Sequence, residues 1–450
     1  MERKLLIRPW LCFLCIFILL GKNPLIAMSV QDTLRITLQD ALEIAFSTGL
    51  TVKIADQEVE KQEYAKKGVY ASLFPQVDFS GNYQYAIEKQ MMYMDGVPGM
   101  DKGIEVGRDN VWSVGFTIGV PLVSAQLWKS LKISAYDVEI SLEKARSSRI
   151  EMRYQVEKAF YSVLLAEDAY VVFKEVYDNA VRNYQDIKNK LDQGLVAEYD
   201  MVRANVNVKN AEPNLYDAEN AVILSLWHLK VLLGVDLELN IACIGALSDY
   251  KENLMNEYMP TGFSLDCNSD LKQIDIQQKQ LEKVRQMQIA QYMPSLSAQF
   301  SYQWISMNNN FKFGNYKWDP YSVIGLSLSI PIFSGGKRFS EVKKTEVMQK
   351  QLSLQRLDTE RQLQLVLRQS IDRINTCAKQ YQAATAGIIE AENGYSITMK
   401  RYETGEGTLL EINDSQLQLT QARLNLNQSI YNYLLANSEL DKVLGDIDKY

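Results

Sequence analysis

Four segments of the chain alternate apolar with small or polar residues at a period of two. In the last, Ile324, Leu326, Leu328 and Ile330 alternate with Gly325, Ser327 and Ser329, the signature of a strand whose two faces meet different surroundings. Pro331 has no N–H to donate and stops the ladder. Ser334-Gly335-Gly336 then makes a turn with a hydroxyl placed to cap a helix. The same succession occurs earlier. Val77, Phe79, Tyr83 and Tyr85 share a face opposite Asp78, Ser80, Asn82 and Gln84. Trp112, Val114, Phe116, Ile118 and Val120 alternate with Ser113, Gly115, Thr117 and Gly119, and Pro121 is expected to end that strand. Leu296, Ala298, Phe300, Tyr302 and Trp304 form the remaining alternating set.

Between these strands the period lengthens. Leu38, Ala41, Leu42 and Ala45 predict a helix from Thr37 to about Ser72, closed by Phe74-Pro75. Ser124 to Asp192 contains no Pro or Gly, enough for one helix on the order of 100 Å long. Gln193-Gly194 breaks it, and a second helix runs to Leu233-Gly234, with Pro213 expected to bend it. Asn268–Tyr292, a long helix from Ser334 to Thr404-Gly405, and a return helix ending at Leu444-Gly445 repeat the order. On the return helix, steps of three and four residues pick out Leu409, Ile412, Leu419, Leu426, Ile430, Tyr433, Leu440 and Leu444, the seam of a coiled coil.

The two halves keep register. Pro121 and Pro331 lie 210 positions apart, and Gly194 and Gly405, like Gly234 and Gly445, lie 211 apart. A slip of one residue over a hundred predicts a duplication: one elongated unit over 28–450, made of repeats at about 36–234 and 268–445 joined by 235–267. Residues 1–27 read as a signal peptide, with Arg3, Lys4 and Arg8 before an apolar run from Trp10 to Leu20 and a small-residue site near Ala27. Their removal takes the net charge from −7 to about −10, which argues against nucleic-acid binding. Cys243, Cys267 and Cys377 remain, too few and too scattered for a disulfide framework, although Cys243 and Cys267 are able to pair in an oxidising compartment. The single His and the lack of a Cys/His/acid cluster argue against zinc and triad chemistry. No metal, cofactor or catalytic residue is expected, and the chain does not read as an enzyme.

Four two-faced strands cannot close a membrane barrel, which needs at least about eight strands and no open edge. Association to 8, 12 or 16 strands is therefore expected, with Trp112, Phe300, Tyr302 and Trp304 toward lipid and the Ser/Gln/Gly faces toward a wet lumen. An exported coiled-coil scaffold without a membrane part would explain the helices but not the strands.

Ile330-Pro331-Ile332-Phe333-Ser334-Gly335-Gly336, the turn from Gln193-Gly194-Leu195-Val196 to Asp200, and its partner Arg401-Tyr402-Glu403-Thr404-Gly405, taken with the duplication, resemble the TolC-type outer-membrane efflux channel family. The resemblance implies a mainly α fold with a membrane β part: a homotrimer whose twelve strands form one barrel in the outer membrane of a Gram-negative bacterium, above a periplasmic α-barrel of long helical hairpins. It implies export of drugs or other toxic small molecules with a periplasmic adaptor and an inner-membrane transporter of the RND or ABC class, or, alternatively, a place in a type I protein secretion system. By the same resemblance Glu411 and Asp414 match the acidic positions of the entrance constriction, the other reading being a solvated acidic face. Tyr402 and Asp200 match positions that latch the tip. Gly194, Leu195, Val196, Gly405, Glu406 and Gly407 match the turns that meet the adaptor, the other reading being simple helix caps. Gly407 and Tyr199 stand where the family's best-known member has a second latch built on an Arg, so that latch is not expected here.

Other features carry less. Gly335-Gly336-Lys337 lacks the remaining parts of a phosphate loop. His228 reads as a helix residue, Glu403 and Glu406 as helix-surface charges, and the methionines at 91, 92, 94 and 100 as part of an outward-facing loop.

Overall fold

A computed structural model describes residues 33–93, 103–253 and 263–445; the expected signal peptide and the methionines at 94 and 100 lie outside them. The chain opens with a three-residue strand, β1 (Leu34–Ile36), and two helices, α1 (Leu38–Thr48) and α2 (Leu50–Ala71). Thr37 and Asp40 form a capping box at α1, each side chain bonding the other's backbone N–H. The single helix expected over this stretch is interrupted at Gly49.

Strand β2 (Gln76–Tyr85), a short hairpin of β3 (Gln90–Met92) and β4 (Ile104–Val106), and β5 (Asn110–Val123) follow. The 68-residue α3 (Ala125–Asp192) starts on the Ser124 hydroxyl, which accepts from the Leu127 N–H. Helix α4 (Glu198–Leu233) returns alongside it, continuous through Pro213, and ends at Gly234 in the left-handed conformation. Strand β6 (Ile241–Cys243) pairs in parallel with β1. The second half comprises α5 (Ser269–Ala290), β7 (Ser295–Asn308), β8 (Asp319–Ser329), α6 (Lys337–Glu403) and α7 (Leu409–Leu444).

Two expectations at the strand–helix junctions are corrected. Pro121 does not end its strand: β5 continues to Val123 across a register shift between Pro121 and Val123, where a residue without an N–H is tolerated. The Ser334 hydroxyl does not cap α6, which begins at Lys337 behind Gly336 with no side-chain cap. Gly335 and Gly336, at φ 60° and 82°, make the turn instead, a backbone that L side chains avoid.

The strands β2, β5, β7 and β8 form one antiparallel sheet in that order. Its register aligns Val77, Ile118, Phe300 and Ile324 in one cross-strand row and Phe79, Phe116 and Tyr302 in the next, so one face is apolar across all four strands. The opposite face carries rows such as Asp78, Thr117 and Ser301. Every residue of β2 and of β8, the two edges, is exposed.

Below the sheet the chain is four helices wide along its whole length. Near the sheet α2, α3, α5 and α6 lie side by side; further away α4, α3, α7 and α6 do. The main core forms where the two levels meet. Phe160, Leu164, Leu229, Leu233, Ile371, Ile374, Ile430 and Tyr433 are buried there with Ile36 and Leu247. At this waist α4 abuts the start of α2, and α7 the start of α5. The Thr48 hydroxyl donates to the Leu233 carbonyl at 2.5 Å, and the Asn268 side-chain NH2 donates to the Val443 carbonyl at 2.8 Å. Gly234 and Gly445 occupy matching left-handed positions against Thr48 and Cys267. The waist thus joins short helices into two long columns beside α3 and α6.

Candidate functional site

The tip farthest from the sheet is where α3 turns into α4 and α6 into α7. Both turns hinge on left-handed glycines, Gly194 at φ 73° and Gly405 at φ 82°, with open space around each. At the second turn the Gly407 N–H donates to the Arg401 carbonyl at 2.9 Å. A Cβ on Gly407 would come within 2.9 Å of the Tyr402 nitrogen, so the backbone packing of this turn leaves no room for a side chain at 407. Leu195 is 68% exposed at the first turn, whereas Val196 folds inward onto the tip cluster.

That cluster brings all four helices of the tip together. Ile187 of α3, Ala204 of α4 and Leu409 of α7 are buried, with Tyr184, Val196, Met201 and Tyr402 packed around them. Tyr402, near the end of α6, is therefore held against the other hairpin of its own chain. The Lys190 ammonium of α3 sits 5.7 Å from the centre of its ring, within cation–π range. Burial, then the charges of Asp200 and Asp186, push the Tyr402 hydroxyl above its usual pKa, since both disfavour a phenolate. Among the described residues no hydrogen bond joins Tyr402 to Asp200 within the chain.

Glu411 and Asp414 are both exposed on the first turns of α7, as their spacing of three predicts. Their immediate partners differ. Glu411 completes a capping box: its carboxylate accepts from the Thr408 N–H at 3.1 Å, and its own N–H donates to the Thr408 hydroxyl at 3.3 Å. Arg401 lies 3.9 Å away across the turn. Asp414 accepts from the Gln418 side chain at 3.0 Å. Thr408-Leu409-Leu410-Glu411 carries the capping-box spacing, so this role was available in the sequence. The Lys190–Tyr402 contact was not, because it joins helices more than two hundred residues apart.

Higher up, Arg423 of α7 pairs with Glu175 of α3 at 2.5 Å and with Glu392 of α6 at 3.7 Å, a second bridge between hairpins. Two clefts, of about 400 and 520 Å³, flank α5; Asp275 lines both and is paired with Arg356 at 2.6 Å. Cys243, Cys267 and Cys377 are free thiols. No described helix is long and apolar enough to cross a membrane, and no metal-binding cluster occurs among the described residues.

An exposed two-faced sheet is thus set on helices of up to 68 residues. The family model described as "Outer membrane efflux protein" matches residues 46–235 and 264–446, and the chain belongs to that family; its place is the outer membrane. It is 21% identical to outer membrane protein TolC of Vibrio cholerae over 350 residues, 76% of this chain and 78% of that one. It is 20% identical to the alkaline protease secretion protein AprF of Pseudomonas aeruginosa, over 93% of this chain and 86% of that one. The solved CmeC outer membrane channel of Campylobacter jejuni matches the fold with a TM-score of 0.71 at 19% identity, covering 91% of this chain and 85% of that one.

Proposed function

We propose that three copies of this chain close a twelve-stranded barrel in the outer membrane and continue it as a twelve-helix tube, a passive conduit for small molecules. The observation that carries this is the sheet with two bare edges. β2 and β8 run in opposite directions within an alternating set of four, so β8 of one copy meets β2 of the next antiparallel, and three sheets close with no edge exposed. The apolar face then meets lipid and the Ser/Thr/Gln face lines the pore. The uniform width of four helices gives twelve around the tube at every level. The two-repeat organisation, at about 36–234 and 268–445, belongs to the same proposal.

The tip is the gate in this reading. Glu411 and Asp414 of three copies form the entrance ring, favouring cations, with Glu411 partly committed to its cap and to Arg401. Tyr402 and Asp200 latch the tip, a reading supported by the packing of Tyr402 against the other hairpin and by the Asp200 charge acting on its hydroxyl. The turns at Gly194, Leu195 and Val196 and at Gly405, Glu406 and Gly407 receive a periplasmic adaptor that couples the tube to an inner-membrane pump. Planar-bilayer recording of the purified protein tests this. Stable cation-selective steps from a trimer are expected, and a monomer that forms no channel refutes the reading. The likeness to AprF, whose name is that of a protease secretion protein, favours protein cargo as the second reading; deletion of the gene would then abolish export of a protein rather than raise drug sensitivity.

A further inference from the structure

The apolar face of the sheet changes character at the end remote from the helices. Along β7 the cross-strand rows run from Leu296 with Leu328 to Ser306 with Trp112. The ten steps from Leu296 to Ser306 span about 34 Å along the strand, or about 24 Å of membrane depth at the usual barrel tilt, close to the apolar band of outer-membrane barrels. At that level the face turns polar: Asn110 and Ser306 are buried there, and the Tyr83 hydroxyl donates to the Asn110 side-chain oxygen at 2.8 Å.

The β7–β8 loop folds back over this level on the same, apolar side. Phe313 packs edge-on against Trp112 at 5.2 Å between ring centres, and Phe311 against Tyr83 at 5.9 Å. The Tyr316 hydroxyl donates to the Asn310 carbonyl at 2.5 Å and closes the loop. The outer surfaces of Phe311 and Phe313 stay 60% and 55% exposed. Two ion pairs sit beside this shelf. Lys317 faces Asp319 at 3.5 Å, and the neighbouring Asp109 is held by Lys89 at 2.7 Å, but exposed Lys312, between the two phenylalanines, has no ion-pair partner among the described residues.

We propose that this aromatic shelf with Lys312 docks the phosphorylated sugar headgroup of a glycolipid in the outer leaflet. The rings meet the sugar and upper acyl carbons, and the ammonium meets the phosphate. Flat exposed rings with a cation at headgroup depth suit an acidic, sugar-bearing lipid better than a zwitterionic one. The inference rests on the membrane barrel proposed above.

Native mass spectrometry of the detergent-purified protein, titrated with a phosphorylated glycolipid, its dephosphorylated form or a zwitterionic phospholipid, tests it, with bilayer conductance recorded on each sample. The intact protein is expected to retain the phosphorylated glycolipid preferentially. Lys312→Glu should lower retention about fivefold, and the Phe311→Ser, Phe313→Ser pair should lower it for both glycolipid forms, all with unchanged conductance. Normal channels with equal retention of the three lipids, or with variants that retain the glycolipid as before, overturn the shelf. Absence of channels from the intact protein overturns the barrel itself, and the shelf with it.

Discussion

Replacing Gly445 by Ala tests how the long helical columns are held at the waist. Gly445 closes α7 at φ 73°, where an L side chain costs about 1–2 kcal/mol. It also lies against the chain entering α5. A Cβ there would sit 2.4 Å from the Cys267 carbonyl oxygen, and backbone, not a flexible side chain, would have to move. The same spot is tied by Arg146, whose guanidinium donates to the Gly445 carbonyl at 2.6 Å and to the Cys267 carbonyl at 3.0 Å. Overpacking of this kind adds about 1–3 kcal/mol, for a total of about 2–5 kcal/mol. Gly405→Ala is the matched control: its φ is 82° but nothing stands within 4 Å of the new Cβ, so only the conformational cost of about 1–2 kcal/mol applies. Urea melts followed by far-UV circular dichroism in detergent should place the Gly445→Ala midpoint clearly below that of Gly405→Ala. Gly234→Ala, whose Cβ would lie 2.9 Å from the Thr48 carbonyl oxygen, should fall between them. Equal midpoints for Gly445→Ala and Gly405→Ala would refute the end-to-end seating of α7 on α5.

Further outcomes follow from the tip and the waist. Tyr402→Phe should raise resting conductance in planar bilayers, and Lys190→Met should add to it by removing a contact worth about 0.5–1 kcal/mol; resting conductance equal to that of the intact protein in both would count against the latch. Asp414→Asn should weaken cation selectivity without lowering the urea midpoint, whereas Glu411→Ala, which removes the capping-box acceptor, should weaken selectivity and cost about 0.5–1 kcal/mol, read from reversal potentials beside urea melts. Burial and Glu167 push the Cys243 thiol up to about 12, so at pH 8 exposed Cys267 should be alkylated well before Cys243 and buried Cys377, as counted by mass; fast labelling of all three would contradict the waist packing. Glu282 accepts hydrogen bonds from Arg285, Gln349 and Gln286, which hold its carboxyl down from 4.5 to about 2. Its contribution is complete above pH 4.5 and is lost as pH falls toward 2, so Glu282→Gln should flatten the acid loss of thermal stability across that window.

The strands and long helices were legible because their signals are local. Period-two alternation in Ile324–Ile330, and sixty-odd residues without Pro or Gly after Ser124, need no tertiary partner to be read. The waist was not legible for the opposite reason. β1 and β6 are three residues each and pair in parallel across two hundred residues, so Leu34–Ile36 and Ile241–Cys243 show no alternation and the second fell within a stretch read as a joint. Pro121 misled because a bulge lets a strand pass a proline, and Ser334 because two glycines supply the turn its hydroxyl was expected to organise. At the tip, the turn glycines were legible as helix breaks repeated 211 residues apart and Tyr402 was found from resemblance, while the inward packing of Val196 and the stacking of Lys190 arise only when two hairpins meet.

The closure of three sheets into one barrel is tested most directly by linking β2 to β8. In a protein whose Cys243, Cys267 and Cys377 are replaced by Ser, Ser80→Cys in β2 and Ser327→Cys in β8 put one thiol on each edge strand. A flexible bis-maleimide, long enough to tolerate a few residues of register, is applied to membranes carrying the protein. Covalent dimers and trimers with nothing larger, and no links when either cysteine is omitted, are the result of a closed ring of three. A ladder that continues past the trimer, or monomers alone, would contradict it.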